Sequence, residues 1–272
     1  MHSRDAIPQT QEVSRMSRAI ISEIKKTQIF ELLKEGKRTD GRGLTDIRDI
    51  SVATGVIGSA DGSARVKFGN NEVIAGVKIV PGTPYADAPG KGTLTTGAEF
   101  IPMAHPMFES GPPSAEAVEL ARVVDRGIRE SGMVDVDKLC IVHGESIWMV
   151  YIDIYTLNYD GNIFDAASLA AVSALKTAIV PAEQYGKGEN HPLAVTCTPI
   201  SVTAAKIGNH LILDPNFDEE QISSARLTIA TDDDGNFRAM QKGGDGSITL
   251  DELTQCFDNA VAKGKEIRKI IG

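Results

Sequence analysis

Lys138-Leu-Cys-Ile-Val-His-Gly-Glu-Ser-Ile-Trp-Met-Val-Tyr-Ile-Asp-Ile-Tyr-Thr-Leu-Asn158, with the turn and small-residue run that follow it, decides the fold class. The segment reads as two strands folded about Gly144-Glu145. Asp160-Gly161-Asn162 is a turn. It feeds a helix predicted over Ile163 to Ile179, where Ala and Ser permit close packing. Upstream the strand pattern extends to Ile50-Ser-Val-Ala-Thr-Gly-Val56, Ala64-Arg-Val-Lys-Phe68 and Glu72-Val-Ile-Ala-Gly-Val-Lys-Ile-Val80, with Gly62 and Gly69-Asn70 as turns. Between these strands and the hairpin, Pro81 to Pro113 is rich in Pro and Gly and shows little regular pattern. A loop of that length in a compact domain is usually functional or faces a partner.

Downstream, Pro181 to Pro192 reads as a linker. Strands are predicted over Leu193 to Val202, His210 to Leu213, Ala225 to Thr231 and Asn236 to Met240. A final helix carries a capping box, Thr249 with Glu252, and an apolar face of Leu253, Phe257, Val261, Ile267 and Ile271. Strands then helix, twice, give an α+β fold with two sheet-and-helix lobes. At the other end, residues 1–15 are polar and expected to fray. A helix follows, with Met16, Ile20, Ile21, Ile24, Leu32 and Leu33 near helical spacing and Gly36 as its stop. Arg38-Thr-Asp-Gly-Arg-Gly43 is turn-rich. The expected division is an N-terminal arm and helix over 1–37, a first lobe over 38–190, and a second lobe with the C-terminal helix over 191–272.

Composition narrows the function. The chain has 272 residues and a formal net charge of -9, which disfavours binding nucleic acid with the whole surface but leaves room for a local basic channel. Aromatic residues are 5% of the chain, too few for a base-stacking platform. Cys140, Cys197 and Cys256 are far apart and form no Cys-x-x-Cys, so neither a disulfide framework nor a zinc site is expected, and a reducing cytosol fits. The first residues have no apolar core of a signal peptide, and Ala166 to Leu175 is too short to span a bilayer.

One local exception to the acidic balance stands out. Arg122, Arg126 and Arg129 are spaced i, i+4, i+7 on a helix that Ser114 caps and that buries Ala117, Leu120, Ala121 and Val124. The spacing fits a phosphate-binding row and, equally, a solvated face with Glu119–Arg122 and Asp125–Arg129 pairs. Asp214, Asp218, Glu219 and Glu220 form an acidic cluster that fits a carboxylate site or, more simply, a solvated strand end and turn. Three motif fragments fail. The segments around Asp232 and Gly246 lack the ligands of a calcium loop. Gly90-Lys-Gly-Thr93 lacks the first glycine and the hydroxyl residue of a P-loop. His143-Gly-Glu145 has no Pro-Cys-x-x-Cys to complete a zinc deaminase motif.

Arg38-Thr-Asp-Gly-Arg42, Glu116-Ala-Val-Glu-Leu-Ala-Arg-Val-Val-Asp-Arg-Gly-Ile-Arg129 and Leu211 to Arg226 occur in an order that resembles the RNase PH family from about Arg38 onward. With the Pro-rich loop Gly82-Thr-Pro-Tyr85 to Gly111-Pro-Pro-Ser114, the likeness is to the non-catalytic ring subunits of the archaeal exosome. It implies an RNase PH fold of two βαβ-type lobes, with a lobe like domain 2 of ribosomal protein S5. It also implies an alternating six-membered ring with a catalytic paralogue, RNA-binding cap proteins, and single-stranded RNA threaded through a pore. Membrane, DNA, metal and cofactor are not expected, and the location implied is cytoplasmic.

In catalytic members, as the resemblance has it, inorganic phosphate attacks the 3′-terminal linkage, held by a Gly-Thr/Ser-Arg loop at a helix N-terminus. Here Asn162 stands where the hydroxyl residue is expected and Ile163 where the arginine is expected. Asp214 matches the first family carboxylate, Glu220 falls where an Asp is expected, and Arg226 where another Asp usually sits. The resemblance thus implies no catalytic residues in this chain, with Arg122, Arg126 and Arg129 holding RNA phosphates while the neighbour does the chemistry. The rival readings are a self-sufficient phosphorolytic enzyme using Asp214 and Glu220, and a ring member with no RNA contact.

Overall fold

A computed structural model describes residues 25–271. The expectations on residues 1–15 and on Met16, Ile20, Ile21 and Ile24 lie outside the described residues. Helix α1, over 25–34, stops at Gly36, whose φ of 72° is left-handed. Its last carbonyls are satisfied by Gly36 N–H to Leu33 and Lys37 N–H to Leu32, each 3.0 Å.

The first sheet contains β1 (Ile50–Thr54), β2 (Gly62–Phe68), β3 (Asn71–Gly82), β4 (Thr93–Phe100), β5 (Cys140–Val142) and β6 (Ser146–Asn158). Its order is β1-β2-β3-β6-β4, with β5 beside the start of β6. Alternation sets the inner face: Val73, Ala75, Val77 and Ile79 of β3 are buried. Only β4 runs parallel to its neighbour, Thr93 opposite Met149 and Phe100 opposite Thr156. A parallel pair needs a crossover, and α2 (Ala115–Ser131) provides it. The second sheet, β10-β9-β11-β12, is built from β9 (Ile200–Ile207), β10 (His210–Leu213), β11 (Ala225–Thr231) and β12 (Phe237–Gly243). Here β10 and β11 both run antiparallel to β9, so the short helix α4 (Phe217–Ile222) closes a second βαβ unit. A two-residue ladder, β7 (Ile179–Val180) with β8 (His191–Pro192), joins the halves, and α5 (Leu250–Ile271) ends the chain.

Helix α3 (Ile163–Lys176) is buried from Ile163 through Leu175, as expected of a helix apolar on every side. It packs on β2 and β3 of one sheet and β9 of the other. The two lobes therefore share one core, in which Phe68, Ile79, Leu120, Ile154, Leu175, Ile200 and Ile229 are all buried. Helix α1 packs on the second sheet, not the first, through Ile29 and Leu33 against Ala205, Ile207 and Ile212.

Several expectations are corrected. The segment Pro81 to Pro113 contains β4, whose strand state is fixed by pairing with β6 and whose buried apolar side chains are only Leu94 and Ala98. Gly62 is no turn but the first residue of β2, where an added Cβ would meet Ala174 O at 2.5 Å. Helix α3 ends at Lys176, and Ile179 belongs to β7. The stretch Leu193 to Pro199 runs outside the named strands, tied to the α2–β5 connection by Thr196 N–H to Met133 O at 2.8 Å. On α5 the buried stripe is Cys256, Ala260, Gly264 and Ile267, while Val261 is 36% exposed. Small residues win there because a Cβ on Gly264 would lie 2.7 Å from Thr231 Oγ1.

Candidate nucleic-acid interface

Helix α2 presents the arginine row. Ser114 Oγ accepts from Ala117 N–H at 3.2 Å, and Gly132, with φ of 69°, closes the C-terminus. Ala117, Leu120, Ala121, Val124 and Ile128 face the core, which turns Arg122, Arg126 and Arg129 to the exposed side. The three do not act as one group. Arg126 and Arg122 line a shallow groove of about 370 Å³ between α2 and β12, where Arg126 donates to Gln241 Oε1 at 3.3 Å. Arg129 turns the other way, to Asp125 Oδ2 at 3.1 Å and Leu94 O at 3.0 Å, beside Tyr85 and Lys91. The Asp125–Arg129 pair of the solvated-face reading is present, but the Glu119–Arg122 pair is not. Glu119 reaches across to Arg226 of the second lobe at 2.8 Å. Arg122 is left exposed, with no hydrogen bond or ion pair among the described residues. An exposed guanidinium with free donors can take a phosphate bidentately at little desolvation cost.

The acidic cluster does not exist as a cluster. Asp218 is half-exposed and pairs with Lys25 at 2.8 Å. Glu219 is fully buried against Arg38, whose Nε donates to it at 2.9 Å while the other guanidinium nitrogens donate to Leu213 O and Asp214 O at 2.8 Å each. Asp214 is also fully buried. Arg42 Nη1, Arg48 Nη2, Arg48 Nε and the Arg48 N–H donate to its carboxylate at 2.6–2.9 Å, as does Asn162 Nδ2. Burial alone would raise the Asp214 carboxyl, but Arg48 and Asn162 outweigh it and hold it below the usual range. Both carboxylate oxygens are thus engaged, by five donors in all. In place of one solvated turn, the four carboxylates are spread over separate ion pairs with Lys25, Arg38, Arg42, Arg48 and Arg226. Arg38-Thr-Asp-Gly-Arg42 is the clamp that fixes the second lobe's β10–α4 turn.

Glu220 has a different place. Its Oε2 accepts from the Asn162 N–H at 3.0 Å and from the Tyr159 hydroxyl at 2.9 Å, and Arg226 lies 3.6 Å from its other oxygen. Asn162 is the N-cap of α3, so a carboxylate of the chain itself sits on that helix N-terminus. A helix N-terminus is an anion site, and a carboxylate there gains on the order of 1 kcal/mol. Burial and the Glu220 charge both push the Tyr159 hydroxyl up, keeping it a donor. Arg226 is spread over Glu119, Glu220 and the Phe164 ring, 3.9 Å below it. Gly161, with φ of 74°, permits the approach of the second lobe, since a Cβ there would lie 2.4 Å from the Asn216 backbone.

A family model described as "3′ exoribonuclease family, domain 1" matches residues 46–181, and "3′ exoribonuclease family, domain 2" matches residues 197–263. The chain belongs to this RNase PH family. It is 48% identical over 254 residues to the "Exosome complex component Rrp42" of Methanocella arvoryzae, covering 93% of this chain and 98% of the relative. The protein of the same name from Methanosarcina acetivorans is 50% identical over 249 residues, covering 92% and 94%. Among solved structures, a chain described as "archaeoglobus fulgidus exosome with RNA bound to the active site" superposes with a TM-score of 0.91 at 42% identity, covering 93% of this chain and all of that one. An "Archaeal exosome core" chain gives 0.87 at 39%, covering 94% and 99%. The RNase PH fold expected from the sequence is thus the fold of this chain.

The sequence singled out Asp214 and Glu220, and Arg38 and Arg42 only as a motif without their role as clamps; Arg48, Tyr159 and Asn162 as a hydrogen-bond donor were missed. The presence of Arg-x-x-x-Arg beside a turn was the available signal for Arg38 and Arg42.

Proposed function

We propose that this chain is a non-catalytic ring subunit of an archaeal exosome, a phosphorolytic 3′-to-5′ exoribonuclease. It alternates with a catalytic RNase PH-like paralogue in a six-membered ring that carries RNA-binding cap proteins in the cytoplasm. Its part is to scaffold the partner's active site and to hold RNA phosphates on Arg122, Arg126 and Arg129, the first two on one side of α2 and Arg129 on the other. The observation that carries the reading is Glu220. Where the attacking phosphate of a catalytic member would have to sit, at the α3 N-terminus, this chain places its own carboxylate, with Ile163 in place of a guanidinium. The Glu220 carboxylate competes with orthophosphate for that N–H, and without a guanidinium at position 163 the site offers the phosphate no charge-assisted partner, which supports the reading. The engagement of Asp214 by Arg42, Arg48 and Asn162 speaks the same way against a self-sufficient enzyme.

The test is to incubate the purified chain with single-stranded RNA and phosphate, alone and with the paralogue. Nucleoside diphosphates are expected only in the mixture. Their robust release by the chain alone would overturn the reading.

A further inference from the structure

A cleft of about 740 Å³ opens between the segment after β4, the start of α2, and the α3 and α4 edges of the two lobes. Five carboxylates line it, Glu99, Glu109, Glu116, Glu119 and Glu220, against one cation, Arg226. Its floor is aromatic. Phe100 and Phe108 stack at 4.6 Å, and Phe108 lies 5.3 Å from Tyr159. Met107, 59% exposed, stands in its wall.

Arg226 shows the kind of group this cleft accepts. Its guanidinium lies on the Phe164 ring and between Glu119 at 2.8 Å and Glu220 at 3.6 Å. That seat uses two of the five carboxylates. Glu99, Glu109 and Glu116 have no ion pair among the described residues, and all three are exposed. Glu116 is held by Ser114 and its own backbone at the start of α2. A polyanion entering here would meet uncompensated negative charge above a helix N-terminus already filled by Glu220. A cationic head on an apolar stem meets the opposite: carboxylates at the rim and rings beneath.

We propose that this cleft docks a cationic segment of the adjacent RNase PH-like subunit, an arginine or lysine carried with apolar neighbours, and is not part of the RNA path. The proposal rests on the ring reading above. It divides the chain's surface by charge: the exposed arginines of α2 face RNA, and the carboxylate cleft faces protein.

The experiment titrates the full chain with its catalytic paralogue by sedimentation at several salt concentrations. Wild type is compared with the triple variant Glu99→Gln, Glu109→Gln, Glu116→Gln, and with Glu109→Lys alone. Both variants are expected to associate about ten-fold or more weakly, the triple with a shallower salt dependence. Their thermal unfolding should match wild type, and Glu109→Lys alters only an exposed loop position should the triple prove unstable. Unchanged affinity and salt slope in both variants would overturn the cleft assignment and leave the ring reading intact. Failure of wild type to associate would overturn both. Normal assembly with tighter binding of oligoadenylate by the triple variant would place the cleft on the RNA path and also overturn the proposal.

Discussion

Asn162 and Asp214, from different lobes, are joined by a 2.8 Å hydrogen bond, Nδ2 to Oδ1. They are also the two non-glycine residues with positive φ among the described residues, each at 48°. Each such backbone costs on the order of 1–3 kcal/mol and persists only where the surroundings over-determine it. Here the five donors around Asp214 do so, and the strained pair becomes the seam between the lobes.

Asp214→Asn separates clamp from catalyst. The change replaces acceptors by donors facing Arg42 and Arg48. Stability should fall by about 3–5 kcal/mol, as for one partner lost from a buried ionic network. In the reconstituted ring, RNA degradation per assembled complex should stay at the wild-type rate. Denaturant unfolding and a phosphorolysis assay check the two halves.

Arg38 and Arg129 give a matched contrast. The Arg38–Glu219 pair is fully buried, while Arg129 and Asp125 are 49% and 27% exposed. Arg38→Ala strands the Glu219 carboxylate and should cost about 3–5 kcal/mol. Arg129→Ala should cost no more than about 1 kcal/mol, since exposed pairs are screened. Urea midpoints for the two variants measure the difference.

Removing the internal anion should expose the site it fills. Glu220→Ala frees the Asn162 N–H, the Tyr159 hydroxyl and Arg226. The variant is expected to lose stability in chloride and to regain part of it in phosphate at matched ionic strength, a larger gain than wild type shows on the same exchange of salts. Differential scanning calorimetry in the two salts reads this directly.

Asp165 sets a pH dependence. Burial is the main cause that pushes its carboxyl up to about 7, with the Asp214 charge adding to it against hydrogen bonds from Asn162 and Thr203. Its folded pKa lies above its unfolded one, near 3.8. The folded state therefore binds the extra proton between those values. The contribution is fully present below about pH 4 and is lost as pH rises toward 7, at up to about 1.4 kcal/mol per unit. Asp165→Asn should flatten that part of the stability–pH curve. Asp214, held low, works in the opposite sense, its contribution fading only in acid below the usual carboxylate range.

What could be read beforehand follows the range of the forces. Ser114, the Thr249–Glu252 box and the Gly36 stop are local devices, and each stands in the structure as its residue type demands. The fold class followed from strand alternation and the apolar α3. Strand β4 was hidden because its partner β6 lies beyond α2 in sequence. The partners of the second-lobe carboxylates were hidden for the same reason: Arg38 and Glu219 are 181 residues apart, Arg48 and Asp214 166. Spacing placed the three arginines on one helix face. The Asp125–Arg129 pair was local and legible, but the turn of Arg126 toward Gln241 and of Arg129 toward Leu94 O was not, since only the folded chain brings those two to α2.

The central claim, a grip on RNA without chemistry of its own, is tested most directly by RNA affinity. Rings reconstituted with Arg122→Ala, Arg126→Ala and the paralogue's site intact are titrated with a single-stranded oligoadenylate across a salt series. The account predicts weaker binding and a salt slope smaller by about one for each lost phosphate contact, with the ring still assembled. Unchanged affinity and slope in a correctly assembled ring would contradict it, leaving the chain a scaffold with no hold on RNA.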